Sequence, residues 1–206
     1  YNDGEVRILA LVNGEVDYKA QSLQLPNAPI LLENQENGAY SVQLKPTVAI
    51  PTLSFNVTSE DEAKREVFAS VDFRKAMSAA INRDELNEVV FFGQGEPMAY
   101  TGFSPLPDFA TSYGKVGTDF DPDMANATLD SLGMVDTDGD GTRELPNGDA
   151  IALNIQFATQ GISGDLLELI AQHWSDVGVE TTVKEVTPDE YRAAQSANEL
   201  DVHAWW

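Results

Sequence analysis

AIALNIQFA, Ala150 to Ala158, sets apolar side chains at Ile151, Leu153, Ile155 and Phe157 with polar or small ones between them. A period of two sends those four to one side of an extended chain, so the stretch predicts a half-buried strand. Outward from it the signals alternate. Leu166 to Val177 predicts a helix stopped by Gly178, VETTVKEV (Val179 to Val186) a strand, PDEYRAAQSA from Pro188 a helix, and Leu200 to Trp206 a last strand. Helices between strands predict an α/β arrangement.

Upstream, Asp121 and Pro122 supply an N-cap and a favoured first helical residue for a helix running to Gly133. Asp72 is a good N-cap for FRKAMSAAI, whose Phe73, Ala76, Met77, Ala80 and Ile81 share one face. Asn82 and Arg83 interrupt, and Asp84 caps a second helix with Leu86, Val89 and Val90 inward, ended by Gly93, Gly95 and Pro97. SEDEAKRE (Ser59 to Glu66) is polar on every side and predicts a solvated loop or a frayed helix. Tyr40 to Leu44 and Val48 to Val57 predict strands, the second with an edge or bend at Pro51. Glu5 to Val12 predicts a helix stopped at Gly14, followed by a short strand at Val16 to Tyr18. A further helix after Pro29 ends at Gly38, placed for a left-handed cap. The stretch from Pro97 to Thr118, rich in Pro, Gly and aromatics, is either a binding-surface loop or packed irregular chain.

The 206 residues can bury a sizeable core. Twelve basic and 34 acidic residues leave a net charge of −22, which excludes nucleic acid and anionic membrane as expected partners, because both need positive surface. An excess of this size fits bound calcium, a high-salt habitat or simply an acidic soluble surface. There is no Cys, hence no disulfide or thiolate chemistry. No apolar run approaches the roughly 20 residues of a membrane span. The chain starts at Tyr1 and ends at Trp206 within an expected strand, so an excised fragment is the expectation.

Catalytic patterns are missing: there is no GxSxG, HExxH or GK[ST] phosphate loop, and His173 and His203 lack partners at a meaningful spacing. Carboxylate pairs carry no information in so acidic a chain. The one metal-like pattern is DTDGDGTRELPNGD, Asp136 to Asp149. Asp136, Asp138, Asp140, Gly141 and the Thr142 carbonyl match positions 1, 3, 5, 6 and 7 of a calcium loop. Asn147 stands at position 12, where a bidentate Glu is expected. Glu144, through water, or Asp149 completes the shell if a structural Ca2+ is held. The alternative is a polar turn closed by Asp side chains and Gly backbone.

Four stretches in order, EVRILALVNGEVDYKAQ (5–21), VDFRKAMSAAINRDELNEVVFFGQGEPM (71–98), FDPDMANATLDSLGMVDTDGDGTREL (120–145) and LDVHAWW (200–206), together resemble the extracellular solute-binding proteins of dipeptide, oligopeptide and nickel ABC transporters. Three departures stand out. Asn82 replaces the usual Asp of a DRD triplet, Phe73 replaces a common Val, and the family's aspartate-proline segment would lie beyond Trp206.

The resemblance implies a type II periplasmic-binding-protein lobe, a mixed sheet flanked by helices, within a two-lobe clamshell. Residues 1–50 would then end the first lobe and 51–206 form the second, with the crossing inside Val48 to Val57. It implies a receptor rather than an enzyme, capturing a small solute, peptides first, with nickel, sugar or another small solute as the alternative in the same fold. A calcium-stabilised interaction domain without a transport role is the alternative of another class. Permease and ATPase subunits are the implied partners, at an extracellular or periplasmic location with a lipid anchor in the full-length protein. Adjacent tryptophans on a strand face opposite sides, so one of Trp205 and Trp206 can line the cleft. Gln21, Ser22, Tyr100 and Phe103 are the further implied ligand residues.

Overall fold

A computed structural model describes residues 3–21, 23–45, 51–99, 113–158 and 162–205. The chain order is α1 (Gly4–Val12), α2 (Ala28–Glu33), α3 (Gln35–Gly38), β1 (Thr52–Phe55), α4 (Glu62–Ala69), α5 (Val71–Ala79), α6 (Arg83–Phe91), α7 (Pro122–Ser131), β2 (Ala152–Ala158), α8 (Gly164–Asp176), β3 (Glu180–Val186), α9 (Pro188–Ser196) and β4 (Val202–Trp205).

The alternation of Ile151 to Phe157 builds the centre of the sheet. β2 pairs in parallel with β3 on one side and with β4 on the other, and β1 closes the β4 edge antiparallel, giving the order β1-β4-β2-β3. The sheet is therefore mixed. Pro51 immediately precedes β1, an edge strand, where a residue lacking an N–H is tolerated. Ile151, Leu153, Ile155 and Phe157 are all buried, in one core with α4 to α8. The opposite face carries a smaller cluster of Val186, Tyr191, Ala194 and Leu200, covered by α9.

The aromatic part of the main core ties the edge strand down. Phe55 lies 5.4 Å from Phe68, 5.1 Å from Phe73 and 5.4 Å from Trp174 between ring centroids. The Trp174 indole N–H donates to the Met77 carbonyl at 2.9 Å, so the polar end of this ring is satisfied inside the core.

Several local expectations change. Of the loop and the frayed helix expected for SEDEAKRE, the helix forms from Glu62 and is not frayed: Asp61 caps α4 by accepting from the Lys64 amide, and the helix delivers Val67 and Phe68 to the core. Lys64 then reaches the Asp201 carboxylate at 3.0 and 3.1 Å and the Ala152 carbonyl at 2.9 Å, pinning the helix to the sheet. A charged stretch can hold a helix once one of its faces finds a partner, which composition does not reveal. The N-cap of α5 is Ser70 rather than Asp72, and that of α6 is Asn82 rather than Asp84. The expected face of α5 is buried throughout, whereas Val89 on α6 is 59% exposed with only Leu86 and Val90 inward.

Neither Val16 to Tyr18 nor Tyr40 to Leu44 forms a strand, since neither finds an edge to pair with. Of Val48 to Val57 the strand occupies Thr52–Phe55, and residues 48–50 lie outside the described residues. The left-handed residue after α3 is Ala39 (φ 53), not Gly38. Gly38 is needed for another reason: a Cβ there would strike the Tyr40 ring and the Val12 carbonyl, so its absence lets α3 pack on the end of α1.

Candidate functional site

β4 carries the residues of interest. Val202 and Ala204 point into the main core, which leaves His203 and Trp205 on the side of α9. α9 is set by Thr187, whose side chain accepts from the Glu190 amide while the Glu190 carboxylate accepts from the Thr187 amide at 2.9 Å. That cap places Tyr191 with its hydroxyl 2.6 Å from His203 Nδ1. Trp205 stacks on both rings, His203 at 6.0 Å and 17° and Tyr191 at 6.5 Å and 25°, while Tyr191 and His203 are tilted to each other by 40° at 5.7 Å.

Burial pushes the His203 imidazole below its ordinary value. Burial also raises the Tyr191 phenol above its ordinary value. The Tyr191 hydroxyl and His203 Nδ1 share one proton between them, donated by whichever partner the imidazole tautomer leaves protonated, and the hydroxyl also lies 3.4 Å from the Ala204 carbonyl. Trp205 remains 46% exposed, and its carbonyl accepts from Thr52 Oγ1 at 3.2 Å. Because Thr52 is its register partner, Trp205 lies beside the point where the chain enters β1.

Behind this step is a surface cavity of about 230 Å³ bordered by Ser54, Asn56, Thr58, Gln195, Asn198 and His203. Asn56 Nδ2 donates to Asn198 Oδ1 and to the Leu200 carbonyl, both at 3.0 Å, and Asn198 Nδ2 returns a bond to the Thr58 carbonyl at 2.8 Å. These bonds clasp the end of β1 to the turn between α9 and β4.

Of the other expected ligand residues, Gln21 is exposed in the stretch after α1. Ser22, Tyr100, Phe103 and Trp206 lie outside the described residues.

The acidic loop follows α7 as expected. Asp136 accepts from the Gly139 and Gly141 amides at 2.7 and 3.0 Å, Asp138 from Asp140 at 3.2 Å, and Asp140 from Thr142 at 2.7 Å. Asp136, Asp138 and Glu144 each bring a carboxylate oxygen within 4.8 Å of the others. Asn147 and Asp149 bond each other in the next turn instead. Glu144 Oε2 also accepts from the Thr137 amide and hydroxyl at 2.7 and 2.8 Å.

The residue that sequence reasoning missed is Arg143, 8% exposed in the same loop. Its guanidinium donates to the Val177 carbonyl, Asp130, the Met134 carbonyl and Asn126, joining the loop to the ends of α7 and α8. Gly178 permits this, since a Cβ there would lie 2.8 Å from Arg143 Cγ. The available signal was a lone Arg in an acidic loop beside the Gly-terminated helix.

The family described as bacterial extracellular solute-binding proteins, family 5 (middle region), matches residues 1–206. The chain belongs to this family. An 87-residue stretch is 33% identical to a probable ABC transporter-binding protein of Deinococcus radiodurans, covering 42% of this chain and 14% of that protein. A stretch of equal length is 31% identical to a periplasmic alpha-galactoside-binding protein of Rhizobium meliloti, covering 42% of this chain and 13% of that protein.

Among solved structures of the same type, the oligopeptide-binding protein OppA is 29% identical with a TM-score of 0.75, covering 100% of this chain and 33% of that one. MelB from Agrobacterium fabrum, bound to stachyose, shows the same fold at 21% identity and a TM-score of 0.80, covering 97% of this chain and 32% of that one. NikA from Brucella suis with Fe(III)-EDTA does so at 22% and 0.72, covering 100% of this chain and 40% of that one. The family 5 chain thus spans 32% to 40% of the length of these structures. Its mixed sheet flanked by helices is that of type II periplasmic binding proteins, and the family is one of solute carriers rather than enzymes. No helix among the described residues is long and apolar enough to cross a membrane.

Proposed function

We propose that this chain is part of the solute-binding component of an ABC importer, capturing peptides between two lobes and delivering them to a permease and ATPase. Residues 1–50 would belong to the first lobe and 51–206 to the second, outside the cell or in the periplasm, with a lipid anchor on the full-length protein. The observation carrying the reading is Trp205, a half-exposed ring braced from behind at the entry to β1. Such a surface offers apolar contact to many side chains without strict choice. Lobe closure buries the ligand and needs only a few hinge residues, here expected within Val48 to Val57.

Nickel, sugar or another small solute is the alternative, since proteins of this fold have been solved in complex with stachyose and with Fe(III)-EDTA. The test is the melting temperature of the full-length protein with a peptide mixture, a galactoside oligosaccharide and chelated nickel. A ligand at 100 times its Kd stabilises by about 2.7 kcal/mol. A rise with peptides is expected; a rise with another class alone moves the reading to that class, and a flat response to all three overturns it.

Calcium in the acidic loop is a second and separate proposal, supported by the common reach of Asp136, Asp138 and Glu144. A melting temperature unmoved by calcium and by a chelator overturns it.

A further inference from the structure

The rings of Tyr191 and His203 stand behind Trp205, and they are joined to each other by a 2.6 Å hydrogen bond. The bond is directional. Whichever ring carries the shared proton, a bond of this length fixes the rotation of both. His203 then meets Trp205 nearly parallel at 17°, in the offset arrangement that aromatic pairs prefer. The Trp205 backbone is held at β1, and among the described residues its ring–ring contacts are with these two neighbours.

We propose that Tyr191 and His203 are positioning residues that present the Trp205 ring to the solute, and that the protein therefore favours solutes offering a flat apolar ring face. This rests on the reading of Trp205 as a ligand contact. A ring already held in place loses no rotational freedom on binding, so the contact is realised in full by a stacking partner and barely by a methyl group. The chemistry covers an aromatic side chain and the apolar face of a sugar alike.

The experiment uses the full-length protein, with Gly-Phe-Gly and Gly-Ala-Gly as matched peptides and raffinose as the sugar. Tyr191→Phe removes the hydroxyl alone, His203→Ala removes the ring and its hydrogen-bonding nitrogen, and His203→Asn returns a polar atom close to the place of Nδ1. Tyr191→Phe and His203→Ala should weaken Gly-Phe-Gly about two- to tenfold, the worth of one aromatic pair, and leave Gly-Ala-Gly unchanged. His203→Asn should recover part of the loss. Parallel weakening of raffinose assigns the platform to sugar faces as well; raffinose that never binds confines it to aromatic side chains.

Without any ligand, the Trp205 indole N–H resonance, assigned through Trp205→Phe, should move in Tyr191→Phe and in His203→Ala. An indole resonance unmoved by both variants overturns the proposal, as does equal weakening of the two tripeptides. If neither tripeptide nor raffinose binds the unmodified protein while the indole resonance still moves, the positioning stands and the proposed solutes fall.

Discussion

At Arg143 a group that is always ionised has been taken almost wholly out of water, and its cost is met by the four acceptors around it. Arg143→Ala strands the Val177 and Met134 carbonyls and should lower stability by about 3 kcal/mol, read from the urea midpoint. Arg143→Lys should recover little, because an ammonium cannot reach the same fork of acceptors. Gly178→Ala should act on the same point from the other side: its φ of +81° is unfavourable for an L side chain, and the new methyl meets Arg143.

His203 gives a pH prediction of fixed sign. Its folded value lies below that of the unfolded chain, so as pH falls through about 6.5 the unfolded imidazole takes up a proton that the folded one resists. The contribution of this site is present above that pH and is lost below it, and His203→Phe should flatten that part of the stability profile. The histidine was legible in the sequence only as a lone strand residue, because its partner Tyr191 sits on a neighbouring helix and spacing does not reveal a contact across elements.

Among the elements, those whose signals are local were readable and those decided by pairing were not. The strict alternation of β2, the Asp121-Pro122 start of α7 and the Pro188 start of α9 match the structure because period and cap chemistry act within a few residues. Val16 to Tyr18 and Tyr40 to Leu44 have strand-forming residues but no partner edge, and a strand requires one. For the helix α4 the sequence admits two alternatives, loop or frayed helix, for the converse reason: its fixing contacts, Lys64 to Asp201 and Phe68 to Phe55, come from distant parts of the chain.

The cap of α9 matters beyond its own helix because it seats Tyr191. Thr187→Ala removes the capping box and should cost about 1 kcal/mol. Faster amide exchange should be confined to α9 and the end of β4, leaving α5 to α8 as they were. Uniformly faster exchange would mean that α9 is not an independent unit on its face of the sheet.

For the molecule as a whole, the charge decides what the solvent does. Twelve basic groups cannot neutralise 34 acidic ones, so the folded chain compresses repulsion that the unfolded chain relieves by expanding. The core does not depend on salt, but this repulsion does. Raising sodium chloride from about 0.01 M to about 1 M shortens the screening length from about 30 Å to about 3 Å. The melting temperature should therefore climb steadily, each kcal/mol of relief adding about 2–4 °C for a chain of this size. A monovalent salt acts on all exposed carboxylates alike, so neutralising one of them, as in Asp138→Asn, should leave the slope nearly unchanged. Calcium at millimolar concentration barely alters the ionic strength. A rise produced by calcium beyond that of sodium at equal ionic strength must come from carboxylates gathered at one place, and Asp136, Asp138 and Glu144 are the cluster within mutual reach among the described residues. The calcium increment should then vanish in Asp138→Asn while the sodium slope persists; an increment that survives the substitution would place the ion elsewhere on the acidic surface.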